Sequence, residues 1–200
     1  MTGSQSTVEV ESARRRKAPW VIAGLCGVIA AALIVVLAAS PVQSDRSSGS
    51  PLIGSLAPEI DAADTDGEPF DIDRYRGSWV LLNFFATWCG PCKIEHPELV
   101  AFAERHAGGE AFVISVAFNE EPEVVEQFFA ENGGDWPIIA EGNGRFALEY
   151  GVVRLPESYL IAPDGTVVAK FEGGVTSAEV DSVISRVATG DDDGQPGESG

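Results

Sequence analysis

The sequence predicts an α/β fold in which a mixed sheet is covered by helices. Three observations carry that prediction: short unbroken apolar runs, amphipathic stretches at helical spacing between them, and a closing hairpin signal. Trp79 to Phe85 (Trp-Val-Leu-Leu-Asn-Phe-Phe) and Ala111 to Ala117 are apolar runs of the length and kind that suit strands buried on both faces. A helix is predicted between them from about Pro91 to His106, with Pro97 expected to kink it. Pro122 opens a second helix whose Val124, Val125, Phe128 and Phe129 share one face, and Gly133-Gly134 ends it. Pro137 to Ala140 reads as a short strand and Arg145 to Tyr150 as a short helix. Ser158 to Ala162 and Thr166 to Phe171 flank Pro163-Asp164-Gly165, a hairpin signal. A last amphipathic helix is expected from Ser177 to Val187, capped by Thr176. Strand–helix–strand–helix followed by a hairpin and a helix implies one mixed sheet with helices packed on it.

The 200 residues suit one domain with appendages. The formal charge is -18, unevenly spread: Glu9 and Glu11 are outweighed by Arg14, Arg15, Arg16 and Lys17 before Trp20, so the acidity falls on the rest. Such a surface excludes a general nucleic-acid role, because phosphate binding relies on Lys and Arg. Residues 20–39 are all apolar or small, long enough to span a bilayer as a helix. The basic cluster just before them predicts a cytoplasmic N-terminal segment, residues 1–19, and export of the chain beyond the span. Cleavage as a signal peptide at Ala38-Ala39-Ser40 is the competing reading. Cys26 reads as one more apolar residue of this span, since Leu25 is too bulky for a lipoprotein site. Residues 40–51 are Ser-rich with Gly, Pro and Asp and read as a flexible linker. Residues 190–200 read as a disordered acidic tail, which leaves 52–189 as the folded domain.

The remaining cysteines form Cys89-Gly90-Pro91-Cys92, placed where a buried strand gives way to a helix. At a helix N-terminus the unpaired N–H groups and the helix dipole favour a thiolate. Only the thiolate attacks a disulfide, so Cys89 is the candidate nucleophile and Cys92, one turn on, the resolving thiol. Gly90 and Pro91 hold the turn. The alternative is half of a zinc site, which would need four ligands, and no second C-x-x-C is present. His96 and His106 both fall on the helix behind the pair and read as surface residues. The paired glycines elsewhere read as turns, and no cofactor-binding or phosphate-loop pattern is present.

With Trp88-Cys89-Gly90-Pro91-Cys92, Pro97 and the stretch Gly151 to Ile161, the chain resembles the thioredoxin superfamily, and more closely its membrane-tethered TlpA/ResA/CcmG (DsbE) branch. The resemblance covers nearly all of residues 52–189. The extra helix–strand unit of Pro122 to Ala140 is the feature that points to that branch. It implies a thioredoxin-like fold in which Pro156 is cis and faces the dithiol, leaving the Leu155 backbone free to hydrogen-bond an extended substrate. A proline merely starting a strand is the plainer reading. Asn83 stands where thioredoxins carry a buried Asp. Glu95, three residues after Cys92, matches a glutamate that helps manage the thiol protons in related exported reductases; a solvated helix residue is its plainer reading. Glu157 resembles the acidic Pro-Glu groove of the cytochrome c maturation members, against an exposed strand-edge charge. Trp88 is expected to shield the thiols on one side, or simply to pack.

The resemblance implies a membrane-anchored thiol–disulfide oxidoreductase that reduces disulfides in exported proteins, apocytochrome c among them. A transmembrane thiol reductase would recharge it, and no cofactor or metal is expected. A disulfide oxidase for secreted proteins fits the same motif. A copper chaperone of the Sco type is the alternative from another class, but it needs a downstream His and none comes after His106.

Overall fold

The computed structural model describes residues 50–190. The N-terminal segment, the apolar span with Cys26, nearly all of the linker and the tail beyond Gly190 lie outside them. No helix among the described residues is long and apolar enough to cross a membrane.

In chain order the elements are β1 (Asp61–Ala63), β2 (Pro69–Asp71), a 3-10 turn (Ile72–Tyr75), β3 (Trp79–Phe85), α1 (Gly90–Arg105), β4 (Ala111–Phe118) and α2 (Pro122–Asn132). They continue with β5 (Ile138–Glu141), α3 (Arg145–Glu149), β6 (Glu157–Ile161), β7 (Val167–Glu172) and α4 (Ser177–Thr189). The main sheet has the order β5-β4-β3-β6-β7. β3, β4 and β5 run parallel, while β6 and β7 are antiparallel, so the sheet is mixed as expected. The small β1–β2 pair was not expected from the sequence: each strand has three residues and Phe70 is the one buried among them, too little to show a period of two. β5 starts at Ile138, after Pro137, which has no N–H to give a ladder. α1 runs on through Pro97 to Arg105. α4 reaches Thr189, two residues beyond expectation, behind a capping box between Thr176 and Glu179.

Alternation along β3 distributes its side chains to two cores. Val80, Leu82 and Phe84 join Ile114, Val116, Tyr159 and Ile161 against Phe146 and Tyr150. Leu81 points the other way, with Val113 and Leu160, and meets Leu99 and Phe102 of α1 and Val180 of α4. Phe85 continues that face into a third cluster with Phe128 and Phe129 of α2 and with Cys89 and Cys92. Burying each large apolar side chain contributes about 1.5–3 kcal/mol. Asn83 sits between Leu81 and Phe85 on this second face, almost wholly enclosed, and therefore needs hydrogen-bond partners.

Packing on both sides of α1 corrects the expectation that its histidines lie on the surface. His96 is buried, edge-on to Phe128 and Phe129 at 5.0 and 5.1 Å, and its Nε2 donates to the Gly133 carbonyl at 2.8 Å. Burial holds its pKa below the usual histidine value despite that bond. His106 faces α4, where Nε2 lies 2.8 Å from Asp181 Oδ1.

Candidate active site

Cys89 is the N-cap of α1 and is joined to Cys92 by a disulfide across one turn. The Cys92 N–H donates to Cys89 Sγ at 3.2 Å, so the first sulfur receives one of the helix's unpaired donors. A thiolate at that position would be stabilised by the same bond and by the helix dipole. Cys89 is 6% exposed and Cys92 3%, so neither sulfur stands out into solvent. The groove separates them. Cys89 lines an open apolar groove of about 410 Å³ with Trp88, Pro91, Phe118, Val153 and Leu155, whereas Cys92 does not reach it.

Trp88 is 67% exposed and forms one wall of this groove rather than a cover over the thiols. Its loop is tied down by a residue that sequence reasoning missed. The Glu120 carboxylate accepts the Thr87 N–H at 2.8 Å and the Thr87 hydroxyl as well. Glu120 comes directly after Asn119, which has a positive φ of 55°, just past the end of β4. The signal that could have found it is its place beyond the carboxyl end of a parallel strand, where α/β folds gather their functional loops.

The opposite wall is the segment leading into β6. The Leu155–Pro156 peptide is cis, Pro156 is buried, and Leu155 packs against the cluster that holds both cysteines. No hydrogen bond among the described residues engages the Leu155 backbone, while the Pro156 carbonyl accepts from the Gly173 N–H at 2.9 Å.

Behind Cys92 on the same helical face, Glu95 is only 3% exposed, so it is not a solvated helix residue. Its Oε1 accepts the Val175 N–H at 3.0 Å and its Oε2 accepts from the Asn83 amide at 3.3 Å. The same amide donates to Ser158 Oγ at 3.0 Å. No ion pair reaches Glu95 among the described residues. Burial therefore dominates and pushes its pKa up to about 7, against the two hydrogen bonds that act to lower it. A carboxyl titrating there can hold or accept a proton at neutral pH.

Glu157 departs from expectation. It is fully enclosed, at 0% exposure, and does not face the groove. The cause is register: Glu157 pairs with Phe84, so its side chain enters the face that holds Tyr150 and Tyr159. There its Oε2 lies 2.9 Å from the ammonium of buried Lys170. Among the described residues no group of three or more His, Cys, Asp or Glu is placed to hold a metal ion.

Residues 52–184 match the family model described as Redoxin. The chain is 33% identical over 132 residues to the thiol-disulfide oxidoreductase ResA of Geobacillus thermodenitrificans, covering 64% of this chain and 74% of that one. It is 34% identical over 103 residues to the thiol:disulfide interchange protein CycY of Rhizobium leguminosarum, covering 51% and 54%. A solved thiol:disulfide interchange protein of the thioredoxin family from Chlorobium tepidum superposes with a TM-score of 0.59 at 27% identity, over 65% of this chain and 93% of that one.

Proposed function

The chain belongs to the Redoxin family and is a thiol–disulfide oxidoreductase working through Cys89 and Cys92, and we propose that it acts as a reductant of exported proteins. The observation that carries the direction is Glu95, a buried carboxyl behind the dithiol that no cation among the described residues neutralises. Once ionised, it opposes a second negative charge on the neighbouring thiols. That shifts the balance toward the disulfide and makes the dithiol an electron donor. In the reducing half-reaction the Cys89 thiolate attacks a client disulfide and a mixed disulfide forms, releasing one client thiolate. Cys92, its proton passing to Glu95, then attacks Cys89 Sγ. The second client thiolate leaves and the Cys89–Cys92 disulfide forms.

The apolar span 20–39 behind a basic cluster supports a single-pass anchor that places the domain outside the cytoplasmic membrane. The resemblance to the TlpA/ResA/CcmG branch supports apocytochrome c, whose haem-attachment cysteines must be reduced, as a client. A transmembrane thiol reductase would then return the pair to its dithiol form. The purified domain is expected to have a potential near that of thioredoxin, about -270 mV, and a value near the about -120 mV of a dedicated oxidant would overturn the reductant reading. Cys92→Ser is expected to trap clients in membranes as mixed disulfides, with c-type cytochromes among those found by mass spectrometry. Cys89→Ser is expected to trap none.

A further inference from the structure

Glu157 and Lys170 are the two members of a buried ion pair that lies next to the site without lining it. Their polar atoms are directed at the backbone of the groove wall. Glu157 accepts the N–H of Val153 at 3.3 Å and that of Arg154 at 3.4 Å. Lys170 Nζ donates to the Gly151 carbonyl at 3.5 Å while holding Glu157 at 2.9 Å. On the far side, Gly173 fixes the Pro156 carbonyl. The wall is thus pinned at 151, 153, 154 and 156. Among the described residues, no hydrogen bond engages the Leu155 backbone between those points, beside Cys89 in the groove. Val153 and Arg154 have strongly exposed side chains, so between Val152 and Leu155, which pack against the core, apolar contact does not hold the backbone. Hydrogen bonds to the ion pair do so there, beside the Arg154–Glu172 ion pair at 2.8 Å and the Val152 N–H bond to the Ala147 carbonyl at 2.8 Å.

We propose that the Glu157–Lys170 pair is a positioning device for the groove wall, governing how an extended polypeptide aligns on Leu155 beside Cys89. It does not touch the sulfurs, and a small disulfide that needs no backbone alignment should be indifferent to it. The inference rests on exchange at Cys89 and Cys92, whichever way electrons flow.

The test compares reduction of insulin, a protein disulfide, with reduction of oxidised glutathione by the reduced protein. Glu157→Gln weakens the acceptor, and the paired change Glu157→Val with Lys170→Met removes both charges while filling the space. Both are expected to lower kcat/KM for insulin about tenfold, mainly through KM, with the glutathione rate within about twofold of wild type. Lys170→Arg keeps a cation and should restore most of the insulin rate. Amide hydrogen exchange at Val153 and Arg154 should quicken in Glu157→Gln, which reports the wall even where turnover is poor. Equal slowing toward both disulfides, or an unchanged insulin rate, would overturn the proposal. A wild-type protein that reduces neither substrate would instead refute the exchange chemistry itself.

Discussion

Two buried glutamates serve the two faces of one sheet, and the decisive difference between their surroundings is a cation. Glu95 meets a side-chain amide and a backbone N–H; Glu157 meets two backbone N–H groups and the Lys170 ammonium. Without a cation, desolvation dominates and Glu95 titrates at about 7. Lys170 shows the opposite outcome: burial acts to lower its pKa, but Glu157 and Tyr159 outweigh burial and the net shift is upward. The same side chain is therefore suited to carrying a proton in one place and to holding a backbone in the other. The neighbouring charge decides which.

The largest effect that could break this comparison is on stability. Lys170→Met leaves Glu157 enclosed without its cation and should cost about 3–5 kcal/mol in denaturant unfolding. A Lys170→Met protein as stable as wild type would mean that the pair holds nothing. The pH dependence is next. Glu95 has a native pKa of about 7 against 4.5 for the free side chain, so between those values the native state binds more protons than the unfolded chain. The stability it contributes is fully present below pH 4.5 and is lost as pH rises through 7, about 3 kcal/mol in all. Glu95→Gln, which mimics the protonated acid, should lack this slope and gain on wild type as pH rises from 4 to 8. The smallest effect concerns the hydrogen bond from Asn83. Asn83→Ala should cost about 1 kcal/mol and move the Glu95 midpoint higher still, because it removes a donor that favours the carboxylate. Carboxyl NMR resonances would track that titration directly.

The strands β3 and β4, helix α1 and the dithiol were legible because they rest on local pattern: unbroken apolar runs and a motif at a strand-to-helix junction. Asn83 and Glu95 were legible through the family resemblance, as the positions matching a buried thioredoxin Asp and a glutamate that manages thiol protons. Glu157 was placed on the wrong surface because its environment depends on Lys170, which lies across the β6–β7 ladder and only meets it once the strands are in register. Glu120 was missed because its partner Thr87 is brought to it by β3 and β4 lying side by side. The burial of His96 required α2 and the turn at Gly133, neither of which is near it in the chain.

Glu157 and Ser158 are consecutive residues of β6, yet one serves the Lys170 clamp and the other bonds the Asn83 amide that holds Glu95. Both sides of the chemistry are thus indexed from one strand of five residues. A deletion or insertion of a single residue ahead of β6 would flip every side chain to the other face. It would send the Glu157 carboxylate toward Glu95 and leave Lys170 facing a hydroxyl. Variation in this protein should therefore preserve the length of the segment leading into β6.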